Sequence, residues 1–184
     1  CLAGSVVVAV GDIKETLLSR LVKAASEFTV GDGLDADTDM GPVITREQRD
    51  RVLNIIERAI TEGAKLVLDG RDRATGDSPG FYVGPTIFDC VEKSMSIMKE
   101  EIFGPVLSIT EADDLDNAIM LANESEYGNA AVIFTQSGRH ARRFRTMIQA
   151  GMLGVNIGVP APMAFLPFAG WKKSFYGDLH ATGK

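Results

Sequence analysis

Cysteine is scarce in these 184 residues: only Cys1 and Cys90 occur. Two thiols cannot build a disulfide framework, and their spacing matches no metal-ligand pattern, so a reducing, cytoplasmic setting and no bound metal are the expectations. Apolar runs are short as well. None reaches the roughly 18 residues that a membrane-spanning helix needs, and the basic start, apolar stretch and small-residue cleavage site of a secretory leader are missing. Positive charge is in deficit: 19 Lys and Arg against 25 Asp and Glu leave a net charge of −6, which argues against nucleic acid or an anionic membrane as partner. The basic run from Arg139 to Arg145 lies on a helical pattern among apolar residues and reads as a solvated helix face. No glycine-rich phosphate loop follows a strand, and no two carboxylates are spaced for acid–base work.

What is present is ordinary for a soluble globular chain, with 45% hydrophobic residues, enough for a sizeable core in a single domain. Val6–Val10 reads as a strand buried on both faces. A helix opens at Asp12 with Ile13, Leu17, Leu18, Leu21, Val22 and Ala25 on one stripe. After a polar loop closed by Gly41-Pro42, Thr45 and Gln48 fit a capping box in which hydroxyl and amide each satisfy a backbone donor. That helix runs to about Glu62 on Val52, Ile55, Ile56, Ala59 and Ile60, and Gly63 stops it. Lys65–Leu68, Tyr82–Phe88, Val106–Thr110, Ala130–Thr135 and Gly154–Asn156 are strand candidates, and residues 69–80 an exposed loop. Leu115–Asn123 and Ser137–Ala150 are helices, the second with a serine N-cap. Alternation at this spacing implies an α/β fold with a mostly parallel sheet covered on both sides.

Three places could carry chemistry. Cys1 precedes a strand, where a thiol near backbone amides can ionise and attack a carbonyl; taken as a lone residue it reads more readily as a small hydrophobe. Glu100-Glu101-Ile102-Phe103-Gly104-Pro105 offers a carboxylate for sugar hydroxyls beside an aromatic wall, or simply a solvated turn. Val155 through Trp171 sets aromatics on a proline- and glycine-stiffened backbone that suits a pocket wall or a packing loop. Cys90, His140 and His180 read as structural or solvent-exposed.

These pieces stand in one order and at one spacing: Cys1-x-Ala3-Gly4-Ser5, Gly41-Pro42-Val43-Ile44 before a helix, Gly84-Pro85-Thr86, Glu100 to Pro105, Asn123 through Tyr127-Gly128, and Val155-Asn156. The series resembles the aldehyde dehydrogenase superfamily from its catalytic cysteine onward, over essentially the whole chain. The terminal pattern Phe168-Ala169-Gly170-Trp171-Lys172-Lys173-Ser174-Phe175-Tyr176-Gly177-Asp178, after Val159-Pro160-Ala161-Pro162-Met163, is similar to the methylmalonate-semialdehyde (malonate-semialdehyde) branch, which acylates coenzyme A.

The resemblance implies a three-layer αβα catalytic domain, of which residues 1–184 are a part. It implies Cys1 as nucleophile, Glu101 as the carboxylate holding the nicotinamide ribose of NAD, Phe103 as the aromatic beside it, and Phe168 as a residue of the substrate tunnel. Asn156 matches a structural, loop-anchoring asparagine. The implied reaction is NAD-dependent oxidation of a small semialdehyde through a Cys1 thioester, followed by transfer to coenzyme A and loss of carbon dioxide. The family's dinucleotide-binding domain is expected before Cys1 and its subunit-contact strand after Lys184, so the complete protein is expected to be a homo-tetramer or dimer and the isolated chain to be inactive. Rival readings are a hydrolytic aldehyde dehydrogenase, a hydrolase that uses the amino group of an N-terminal cysteine as base, and a non-catalytic interaction module.

Overall fold

The computed structural model describes residues 3–72, 80–163 and 165–176, and among these the backbone clusters into two compact units, one within residues 5–111 and the other made of the described residues from Ala112 onward with residues 3–4.

In the first unit, β1 (Val6–Val10), β2 (Lys65–Leu68), β3 (Thr86–Asp89) and β4 (Val106–Ala112) form a sheet ordered β1-β4-β3-β2. β3 runs parallel to β4 with Thr86 opposite Val106 and Phe88 opposite Ser108, and β2 runs antiparallel to β3 with a bulge between Leu66 and Leu68. The Val6–Val10 strand holds its expected bounds, but only Ala9 is buried, so it is half-covered rather than buried on both faces. β3 is shorter than the expected Tyr82–Phe88. Pro85 has no N–H to give a ladder, and the Gly84 amide is already committed to the Gly70 carbonyl at 2.7 Å.

Two helices complete this unit. A short 3-10 turn over Gly11–Ile13 leads into α1 (Lys14–Ser26). α2 (Arg46–Thr61) is opened by the Thr45 hydroxyl, which accepts from the Gln48 amide at 3.1 Å. Val52, Ile55, Ile56 and Ala59 form its buried stripe, whereas Ile60 is 37% exposed and falls outside it. The helix ends at Gly63, whose φ of 100° lies in the left-handed region that a residue with a side chain adopts only under strain. The stripe packs with Val83, Phe88, Val91, Ile97, Ile102 and Val106 into one core. At the end of β3, Lys14 reaches the buried Asp89 at 3.6 Å and Glu111 at 3.2 Å. Cys90, next in the chain, is exposed, with a φ of 55°.

The second unit pairs β6 (Ala130–Ile133) parallel to β7 (Met152–Val155) and carries α3 (Leu115–Asn123) and α4 (Gly138–Met147). Ile119, Phe144, Ile148 and Ala150 form its core with Leu115, Ala131, Ile133 and Leu153 packed against them. Asp114 and Ser137 cap the two helices. α4 stops at Met147, short of the expected Ala150, because Ile148 has already turned to extended backbone while staying buried. The basic residues of α4 do face solvent, and Arg143 pairs with Asp116 at 2.9 Å. A second, two-residue antiparallel pairing joins β5 (Tyr127–Gly128) to β8 (Trp171–Lys172). Among the described residues no helix is long and apolar enough to cross a membrane, and no group of three or more His, Cys, Asp and Glu could hold a metal.

Candidate active site

The stretch Glu100–Pro105 lies between a 3-10 turn (Ser96–Met98) and β4, on the α2 side of the first unit's core. Ile102 is buried among Val52 and Val106, which pins the middle of the stretch and leaves Glu101 and Phe103 exposed on either side. Gly104 lies so close to α2 that a Cβ there would sit 2.6 Å from Val52 Cγ2. Phe103 is 67% exposed and has a φ of 56°. An aromatic residue in that region costs about 1–3 kcal/mol and persists only where its surroundings hold it.

The holding groups come from α2. Arg51 donates from Nη2 to the Glu101 carbonyl at 2.6 Å and from Nη1 to the Ile102 carbonyl at 2.7 Å. Gln48 Nε2 donates to the Ile102 carbonyl at 2.9 Å and the Phe103 carbonyl at 3.0 Å. Arg58 adds an ion pair to Glu100 at 2.7 Å. The Gln48 side chain is therefore not the returning half of a capping box, as its spacing from Thr45 suggested. The long-range contact to the turn wins it. Beside it, Glu47 is held below the usual carboxylate range, first by its own backbone amide and then by the Thr45 hydroxyl.

Of the residues picked out from the sequence, Glu101 and Phe103 are brought together on this one turn. Among the described residues no partner engages the Glu101 carboxylate, while the peptide that carries it is clamped. Phe168 is half-buried in the irregular stretch between β7 and β8 of the second unit. Cys1 lies outside the described residues. Asn156, with a φ of 56°, donates to the Thr135 carbonyl at 2.9 Å and accepts from the Thr135 amide at 2.8 Å, a loop anchor of the kind expected. Gln48, Arg51 and Arg58 were missed. Their spacing of three and seven residues along one helix face was the available signal, since residues so placed share a face.

A held backbone with a free carboxylate and an exposed ring suits a polar ligand with hydroxyls and a flat ring, and known proteins supply the context. The family model of the aldehyde dehydrogenase family matches residues 1–184. Malonate-semialdehyde dehydrogenase 1 of Geobacillus thermodenitrificans is 56% identical over 183 residues, which is 100% of this chain and 38% of that protein. The crystal structure of methylmalonate-semialdehyde dehydrogenase from Oceanimonas doudoroffii matches with a TM-score of 0.93 at 43% identity, covering 96% of this chain and 36% of that one. Mycobacterium tuberculosis aldehyde dehydrogenase complexed with NAD+ matches with a TM-score of 0.91 at 33% identity, covering 100% and 37%. The chain thus spans 38% of the length of such relatives. The expected α/β fold and the likeness to the malonate- and methylmalonate-semialdehyde branch both hold, and the chain belongs to the aldehyde dehydrogenase family.

Proposed function

We propose that this chain supplies part of the catalytic domain of an NAD-dependent, coenzyme-A-acylating malonate- or methylmalonate-semialdehyde dehydrogenase that works as a homo-oligomer. The observation that carries the reading is the free Glu101 carboxylate on a clamped turn, in a chain 56% identical to a malonate-semialdehyde dehydrogenase. That carboxylate can accept hydrogen bonds from both hydroxyls of a nicotinamide ribose, and the exposed Phe103 ring walls the same place. NAD, when bound, supplies the hydride acceptor.

In this reading Cys1 acts as thiolate and adds through Sγ to the aldehyde carbon, forming a C–S bond and placing the electron pair on oxygen. Backbone amides beside the cysteine hold that oxyanion. Loss of the aldehyde hydrogen with its electron pair leaves a thioester on Cys1. The substrate's own carboxylate leaves as carbon dioxide, and the electron pair of the broken C–C bond takes up a proton. The thiol of coenzyme A then attacks the thioester, releasing acetyl- or propionyl-coenzyme A and returning the Cys1 thiolate. Phe168 contributes an apolar wall for the substrate.

The test is NADH formation by the full gene product from malonate semialdehyde and from methylmalonate semialdehyde, with and without coenzyme A. Turnover that requires coenzyme A and yields the acyl-coenzyme A is expected. Equal turnover without it, giving a free acid, would assign the hydrolytic reaction instead, and no NADH under either condition would overturn the reading.

A further inference from the structure

Four hydrogen bonds run from one face of α2 to three consecutive carbonyls, those of Glu101, Ile102 and Phe103. We propose that Arg51, seconded by Gln48, is a positioning residue that aims the Glu101 carboxylate and Phe103 ring at the nicotinamide end of the cofactor. The inference rests on the reading of Glu101 given above and deepens it.

A surface turn of six residues has many backbone states, and an exposed glutamate on it has many more. Here the turn is fixed at both chemical positions through its backbone, so neither side chain is spent on holding it. Arg51 has two coplanar nitrogens at 2.6 and 2.7 Å from two adjacent carbonyls. A planar fork satisfies such a pair in one orientation, and its charge strengthens both bonds. An ammonium in its place is a point donor that cannot fix both peptides with the same geometry. Gln48 covers the third carbonyl, that of Phe103, which is where the backbone is strained. Gln48 lies one turn before Val52, in line with the stripe that α2 buries in the core, and Arg51 lies one turn before Ile55 beside it, so the clamp projects from a helix held by that core. Misplacing a reacting group by about 1 Å can cost roughly a hundredfold in rate, and a loosened Glu101 allows displacements of that order.

The experiment compares Arg51→Met, Arg51→Lys, Gln48→Met and Glu101→Gln in the full gene product. The readouts are kcat, KM for NAD and for the semialdehyde, the primary isotope effect with aldehyde deuterated at its carbonyl carbon, and the thermal unfolding midpoint. Arg51→Met is expected to slow hydride transfer roughly 10- to 100-fold, with an isotope effect at least as large as in the parent and an unchanged KM for the semialdehyde. Arg51→Lys is expected to fall between the two. Because both act through one carboxylate, Arg51→Met and Glu101→Gln combined should cost less than the product of their separate effects. Parental kcat in Arg51→Met, or a fall in kcat with a suppressed isotope effect, overturns the proposal. If the arginine variant fails to fold, Gln48→Met removes two neutral bonds and is judged by the same readouts. Glu101→Gln separates the two levels: if it leaves every parameter at the parental value, the ribose-holding reading itself falls. If it is impaired while Arg51→Met is not, the positioning role alone falls.

Discussion

Replacing Gly104 by alanine probes how tightly the Glu100–Pro105 turn is seated on α2. A Cβ at this position would lie 2.6 Å from Val52 Cγ2 and 3.2 Å from Cγ1. Val52 is fully buried and β-branched, so in a helix it has one strongly preferred rotamer and cannot swing aside. Overpacking of this kind costs about 1–3 kcal/mol. The backbone of Gly104 lies outside the left-handed region, so alanine meets no conformational penalty there and recovers about 0.4–1 kcal/mol by restricting the unfolded chain. The net expectation is a loss of about 1–2 kcal/mol for Gly104→Ala. Val52→Ala alone should cost about 2–3 kcal/mol through lost burial and the cavity it leaves. In the Val52→Ala background the clashing methyls are gone, so Gly104→Ala should become neutral or stabilising by up to about 1 kcal/mol. Equilibrium urea unfolding of the four proteins of this cycle, followed by far-UV circular dichroism, measures the coupling. An equal cost of Gly104→Ala in both backgrounds would refute the seating described here.

Three further outcomes follow from the packing and the charges. Phe88→Ala removes a ring with 0% exposure from the centre of the first unit's core and should lower unfolding free energy by about 3–5 kcal/mol in urea titrations; a loss comparable to a surface substitution would contradict the assigned core. Thr45→Ala leaves the Gln48 amide unsatisfied and should cost about 1 kcal/mol, together with amide exchange in the first turn of α2 that is faster than in the parent. Asp69 is held below the usual carboxylate range, chiefly by the Arg71 side chain. A lowered folded-state pKa means that its stabilisation is present above about pH 4 and fades as pH falls through the lowered value. Asp69→Asn should therefore be destabilising at neutral pH, with a gap to the parent that narrows under acid. A gap that widens on acidification would reverse the assigned sign.

Elements with a strong local pattern, a β-branched run or an amphipathic period, were legible from the residues alone. Val6–Val10 and Leu115–Asn123 have their expected bounds, and Ser137 caps α4 as its hydroxyl and position suggest. Errors cluster where a long-range contact overrides a local pattern. Gln48 fits a capping box by spacing, yet its amide reaches carbonyls more than fifty residues away in the sequence. Tyr82–Phe88 has strand composition, but the Gly84 amide goes to Gly70 and the ladder begins only at Thr86. The pairing of Tyr127–Gly128 with Trp171–Lys172 has two residues on each side and no periodic signal to detect. At the candidate site, Glu101 and Phe103 were reachable through motif resemblance, and Asn156 shows the anchoring role expected of it. The arginine that holds their turn carries no motif, and only a fold that brings α2 to residues 101–103 gives it meaning.

The most direct measurement is mass spectrometry of the Cys1 peptide from the full gene product, quenched in acid after mixing with semialdehyde and NAD in the absence of coenzyme A. An acyl group is expected on Cys1 that forms together with NADH, accumulates more slowly in Glu101→Gln and disappears when coenzyme A is added. NADH formation with an unmodified Cys1 peptide at every time point would contradict it.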